Sequence, residues 1–100
     1  MSRAKRVDAN QSAIVAALRD IGAFVQPLHM VGQGVPDLLV IYRGKIHVAE
    51  VKDGSKPKSA RKLTEAEIEW QHEAGRHGYT VPTWENVEQA VGDVVFNVRI

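Results

Sequence analysis

One hundred residues, 44% hydrophobic and 25% charged, leave room for one hydrophobic core and not two. The absence of cysteine excludes disulfides and thiolate metal sites, and no run approaches the ~18 apolar residues of a membrane span. A net charge of +1 makes no case for nucleic acid by itself, but the charges are segregated.

The first nine residues are polar and expected to fray. Asp8 or Asn10 is placed to cap a first helix whose buried stripe is Ile14, Val15, Leu18 and Ile21, with Gly22 as its stop. Phe24 to Met30 reads as a first strand, Pro27 favouring an edge position. Gly32 and Gly34 then flank Gln33 on the approach to Asp37, where glycine permits positive φ or the close approach of a ligand. A plain turn fits that feature equally well.

Leu38 to Tyr42 and Lys45 to Lys52 read as two central strands joined tightly at Arg43-Gly44. The unbroken apolar run from Leu38 to Ile41 suits a strand covered on both faces. Asp53 to Lys62 is a loop rich in Gly, Ser, Pro and Lys, long enough to suggest function. Thr64 opens a second helix with Glu67 at its third position, a capping box, and Ile68, Trp70, Gln71 and Ala74 carry the helix on toward Gly78. Tyr79 to Thr83 suits a short strand, Glu85 to Val91 a third helix, and Val94 to Ile100 a final strand. The order α-β-β-β-α-β-α-β, with no internal repeat and no linker, predicts a single α/β domain over residues 1–100, a mixed central β-sheet flanked by helices.

Side chains alternate along a strand, so Glu50 and Lys52 project from one side and Val51 from the other. Antiparallel pairing around the turn brings Asp37 beside them. Magnesium or manganese prefers oxygen ligands, and Asp37, Glu50 and the Val51 carbonyl can supply them. Lys52 is placed to hold or deprotonate an attacking water, or to stabilise charge developing on a phosphate. The fitting reaction class is metal-dependent phosphodiester hydrolysis. Each residue alone reads as well as an exposed charge at a strand end; the three together do not.

The basic residues follow the same logic. Lys52, Lys56, Lys58, Arg61 and Lys62 stand against Asp53 alone, and Arg3, Lys5 and Arg6 crowd the N-terminus. Such clusters serve as phosphate contacts or as ordinary solvated loops. His29, His47, His72 and His77 show no paired zinc-ligand spacing, and His47 faces away from Glu50. His29 leads into the Gly-rich turn and is a candidate to face a cleft.

Pro36-Asp37 followed, after a hairpin, by Glu50-Val51-Lys52 resembles the PD-(D/E)xK nuclease superfamily. The wider context resembles its VRR-NUC branch: Gly34-Val35-Pro36-Asp37-Leu38-Leu39, the Glu50-Val51-Lys52 ending and Leu63-Thr64 opening a helix. That branch includes small stand-alone phage proteins and nuclease domains of larger DNA-repair enzymes. The resemblance runs from about Asp8 to Val91. It implies a restriction-endonuclease-like α-β-β-β-α-β core, metal ligation (Mg2+ or Mn2+) by Asp37 and Glu50, and a catalytic role for Lys52. Relatives often carry glutamine in a Leu-Ser/Thr-x-x-Gln pattern; Glu67 stands there in this chain, as a catalytic-site residue, a cap or both. Trp70, at an aromatic position of that helix, is expected in the core. Many relatives also place an acidic residue on the first helix near the metal, for which Asp8, Asn10 and Gln11 are the available substitutes.

The expected function is a metal-dependent DNA endonuclease selective for DNA structure, with Holliday-junction resolution by a homodimer as one form. A flap or single-strand nuclease and a non-catalytic nucleic-acid-binding module are the alternatives. Lys56, Lys58, Arg61, Lys62, Arg6 and Gln33 are the candidate nucleic-acid contacts. With no signal-peptide core near the N-terminus, the cytoplasm (a host's, for a phage protein) is the expected location.

Overall fold

The chain from Leu38 to Val51 forms the centre of the fold, seen in a computed structural model that describes residues 8–97. Strands β2 (Leu38–Tyr42) and β3 (Lys45–Val51) pair antiparallel, with Tyr42 opposite Lys45. This leaves a two-residue turn in which Arg43 (φ 50°) and Gly44 (φ 80°) both take the left-handed conformation that matches the twist of a hairpin. The Arg43 guanidinium lies 5.3 Å from the centre of the Tyr42 ring. Strand β1 (Phe24–Pro27) pairs antiparallel with β2, and β4 (Thr83–Trp84) pairs parallel with β3. The sheet is therefore mixed, in the order β1-β2-β3-β4. Pro27 sits on an edge strand, where its missing N–H costs no ladder bond, and Arg19 donates to the Val25 carbonyl of the same strand at 3.1 Å.

Alternation sends Val25, Leu38, Val40, Ala49 and Val51 to one face of the sheet. Helices α1 (Gln11–Asp20) and α3 (Val87–Phe96) cover that face. They contribute Ile14, Val15 and Leu18 from α1 and Ala90 and Val94 from α3 to one core. Each fully buried valine, leucine or isoleucine side chain there is worth about 1.5–3 kcal/mol. Trp84 is the core tryptophan: its indole N–H donates to buried Asp93 at 2.8 Å, and Asp93 also accepts the Asn97 amide at 2.9 Å. Helix α2 (Glu65–Arg76), reached through a short 3-10 turn at Lys58–Ala60, carries the crossover from β3 to β4.

Several boundaries differ from the sequence reading. Val94 to Phe96 continue α3 rather than starting a final strand, and residues 98–100 lie outside the described residues. The valines of this run suggested strand, but Ala90, Asp93 and Val94 recur at helical spacing on the buried face, and packing overrides the weak propensity. Asn86, whose side chain accepts from the Gln89 N–H at 2.9 Å, starts that helix. The strand expected at Tyr79 to Thr83 shrinks to Thr83–Trp84, while Tyr79 spends its hydroxyl on the Val48 N–H at 2.7 Å. Strand β1 stops at Pro27, and Trp70 is only half-buried. Asn10 makes no side-chain cap. Arg3, Lys5 and Arg6, with most of the segment expected to fray, lie outside the described residues.

Candidate active site

Leu38 points into the α1–α3 core, so Asp37, one residue earlier, lies on the opposite face of the sheet. Ala49 and Val51 likewise enter the core, which puts Glu50 and Lys52 on the side of Asp37. The register pairs Leu38 with Ala49, so the next step along both strands sets Asp37 beside Glu50. All three side chains are buried: Asp37 is 2% exposed, Glu50 0% and Lys52 8%. A carboxylate, a second carboxylate and an ammonium thus meet under cover at the open end of the hairpin.

The main chain of β3 shares in this arrangement. The N–H groups of Glu50 and Lys52 donate to Pro82 and Trp84 carbonyls in and beside β4, at 2.9 and 3.0 Å. The peptide groups of Val51 therefore face the other edge, toward β2. Its N–H donates to Asp37 Oδ2 at 2.7 Å, a short, charge-assisted bond that holds the carboxylate at the strand end.

Helix α2 closes the site from outside the sheet. Thr64 accepts the Glu67 N–H at 3.2 Å, and Glu67 Oε1 accepts the Thr64 N–H at 2.9 Å, the complete capping box read from the sequence. The same Oε1 receives the Lys52 ammonium at 3.1 Å, with Glu67 1% exposed. Glu67 is thus both the helix cap and the partner of Lys52. The loop before Asp37 presses on the same turn of α2: a Cβ on Gly34 would collide with the Ala66 carbonyl oxygen.

The remaining sequence candidates separate. Arg61 is engaged by Glu85 at 2.7 Å and anchors the basic loop, whereas Lys56, Lys58 and Lys62 are exposed. At the start of that loop the Ser55 hydroxyl and then its N–H hold the Asp53 carboxyl below the usual range. Gln33 is exposed at the tip of its turn. Of the three helix-1 substitutes, Asn10 is spent on the main chain, its amide donating to the carbonyls of Lys52 at 2.9 Å and Glu85 at 3.1 Å. Asp8 is half-buried, and Gln11 is 4% exposed. His47 is buried on the α1–α3 side, its ring 6.4 Å from that of Trp84, and His29 is half-buried. Sequence reasoning missed the Asn10 clasp and the Tyr79 brace on Val48, whose partners lie 31 or more residues away with no local signal.

Among the described residues no three His, Cys, Asp or Glu side chains gather as a metal cluster. The donors at the hairpin end are instead the Asp37 and Glu50 carboxylates and the Val51 carbonyl. All are hard oxygens, and a magnesium- or manganese-type ion uses one or two carboxylates while keeping several waters. The donor set fits such a cation.

No protein-family model and no curated protein matches the chain. Among solved structures, a chain described as a VRR_NUC domain superposes with a TM-score of 0.66 at 25% sequence identity, covering 88% of this chain and 92% of that one.

Proposed function

We propose that this chain, a VRR-NUC domain with the fold of a nuclease-type module, is a metal-dependent DNA endonuclease. The observation that carries the proposal is the buried convergence of Asp37, Glu50 and Lys52 at one hairpin end, with Lys52 fastened to Glu67. Asp37, Glu50 and the Val51 carbonyl would hold Mg2+ or Mn2+. When bound there, such an ion would supply a water of lowered pKa and offset negative charge on the phosphate. Lys52 presents an ammonium to the charge that develops on the phosphoryl oxygens. Glu67 fixes where that ammonium sits, and Val51 N–H fixes the Asp37 carboxylate; a site whose groups are already held needs little rearrangement in the transition state.

Lys56, Lys58 and Lys62, exposed on the loop between β3 and α2, would serve as phosphate contacts that carry no base specificity. Selection by DNA shape follows, with four-way junctions ahead of flaps and single strands. A homodimer suits a two-fold junction, and the outer face of the sheet supports self-association. Phe24, Ile41 and Ile46 form one row across three strands there, with Phe24 55% and Ile46 56% exposed. No helix of the described residues is long and apolar enough to cross a membrane.

The test is cleavage of a labelled four-way junction beside duplex, flap and single strand, in magnesium or manganese, with a chelator and Lys52→Ala as controls. Metal-dependent cleavage lost in Lys52→Ala is the expected result, and the substrate ranking separates junction resolution from flap or strand trimming. Binding without cleavage of any substrate in either metal would overturn the enzyme in favour of a non-catalytic binding module.

A further inference from the structure

Two residues other than glycine hold positive φ among the described residues, Arg43 at 50° and Gln33 at 57°. Arg43 is accounted for by the hairpin turn and by its place over Tyr42. Gln33 has no such account. It lies between Gly32 (φ 70°) and Gly34 (φ 80°), so three successive residues are left-handed, and glycine at the middle position would serve the turn without strain. Its side chain is exposed and makes no hydrogen bond or ion pair with any described residue. The fold holds this glutamine in an unfavourable backbone conformation and draws no hydrogen bond or ion pair from its side chain among the described residues in return.

The turn that carries Gln33 is fixed and beside the site. Its ends are closed by the Leu28 N–H on the Asp37 carbonyl at 2.7 Å, and its interior by the Val35 N–H on the Gly32 carbonyl at 3.1 Å. Gly34 lies flush on α2 next to Glu67. Asp37 follows four residues later, so the two Cα atoms are at most about 14 Å apart. On DNA, where successive phosphates advance about 3.4 Å along the axis, this places Gln33 within a few nucleotides of a phosphate held at Asp37.

We propose that Gln33 is a substrate contact whose carboxamide hydrogen-bonds the sugar or base edge of a nucleotide beside the scissile phosphate. The inference rests on the nuclease reading. A carboxamide both donates and accepts and carries no charge, so it adds hydrogen bonding where Lys56, Lys58 and Lys62 add electrostatic attraction. Glycines on both sides let the backbone approach the strand while the one side chain between them reaches it.

The test compares wild type, Gln33→Gly and Gln33→Asn in thermal unfolding, in binding of a labelled junction under chelation, and in single-turnover cleavage with metal. Asparagine keeps the amide, tolerates left-handed backbone and is one methylene shorter. Expected are a Tm raised by a few degrees in Gln33→Asn, and affinity about three- to tenfold weaker in both variants with an unchanged salt slope. Substrates with permuted bases at the flanking positions separate the two edges: loss of a base preference marks a base contact, uniform loss a sugar contact. Variants that bind and cut like wild type, or that lose stability in step with affinity, overturn the role of Gln33 while leaving the nuclease intact. A wild-type protein that neither binds nor cuts overturns both.

Discussion

Lys52 and Glu67 each make the burial of the other tolerable, since a lone charge at 8% or 1% exposure would face a steep desolvation cost. Lys52→Ala strips a buried carboxylate of its ammonium and should cost about 3 kcal/mol in urea unfolding. Cleavage should fall at least about 100-fold in the same variant, the scale for losing one preorganised charge at the phosphate. Glu67→Gln keeps an acceptor for the Thr64 N–H but leaves the buried Lys52 ammonium with a neutral partner, so it too should cost stability, on the order of 3 kcal/mol. Its cleavage should drop about tenfold, because Lys52 then has a neutral partner that orients it less firmly. A Glu67→Gln variant as stable as wild type would show that the ion pair is not what holds this site.

At the scale of elements, the site depends on how closely the turn before β2 meets the first turn of α2. Gly34→Ala places a methyl against the Ala66 carbonyl at a left-handed φ, and neither backbone can give way cheaply. A loss of about 3 kcal/mol or more is expected, with cleavage abolished at the temperature of assay. Gly44→Ala is the control: its φ is also 80°, but nothing lies within 4 Å of the added methyl. It should cost about 1 kcal/mol, the strain alone, and leave cleavage unchanged. Thr64→Ala should cost about 1 kcal/mol through the lost cap and shift Lys52 through Glu67. Thermal unfolding of the three variants beside single-turnover rates separates packing from positioning.

Across the whole molecule the two faces of the sheet differ. One is sealed by α1 and α3, while the other leaves Phe24 and Ile46 more than half exposed beside partly covered Ile41. Phe24→Lys combined with Ile46→Lys should change Tm little, because little burial is lost, yet should convert a dimer to a monomer in sedimentation equilibrium. A wild-type protein that sediments as a monomer removes the dimer from the proposal. Electrostatics acts at the same scale: each exposed lysine removed among Lys56, Lys58 and Lys62 should reduce the slope of log affinity against log salt by up to about 0.9. Arg61→Ala should instead loosen the loop by releasing Glu85.

Local physics made much of this chain legible in sequence. The hairpin register follows from two apolar runs around a two-residue turn that only left-handed residues can close. That register and the period of two bring Asp37, Glu50 and Lys52 to one end. The Thr64–Glu67 box is likewise a matter of residues three apart. Contacts that close over long separations were not legible. That Glu67 also holds Lys52, that Asn10 clasps two carbonyls 42 and 75 residues away, and that Gly34 lies flush on α2 depend on where α2 and α1 come to rest. The fate of Val94 to Phe96 was decided the same way: β-branched residues suit a strand, but Val94 had a core to fill beside Ala90 and Trp84, and the helix placed it there. Local hydrogen bonds and alternation act between neighbours and are written in the order of residues. Packing acts between elements and exists only once the chain has folded.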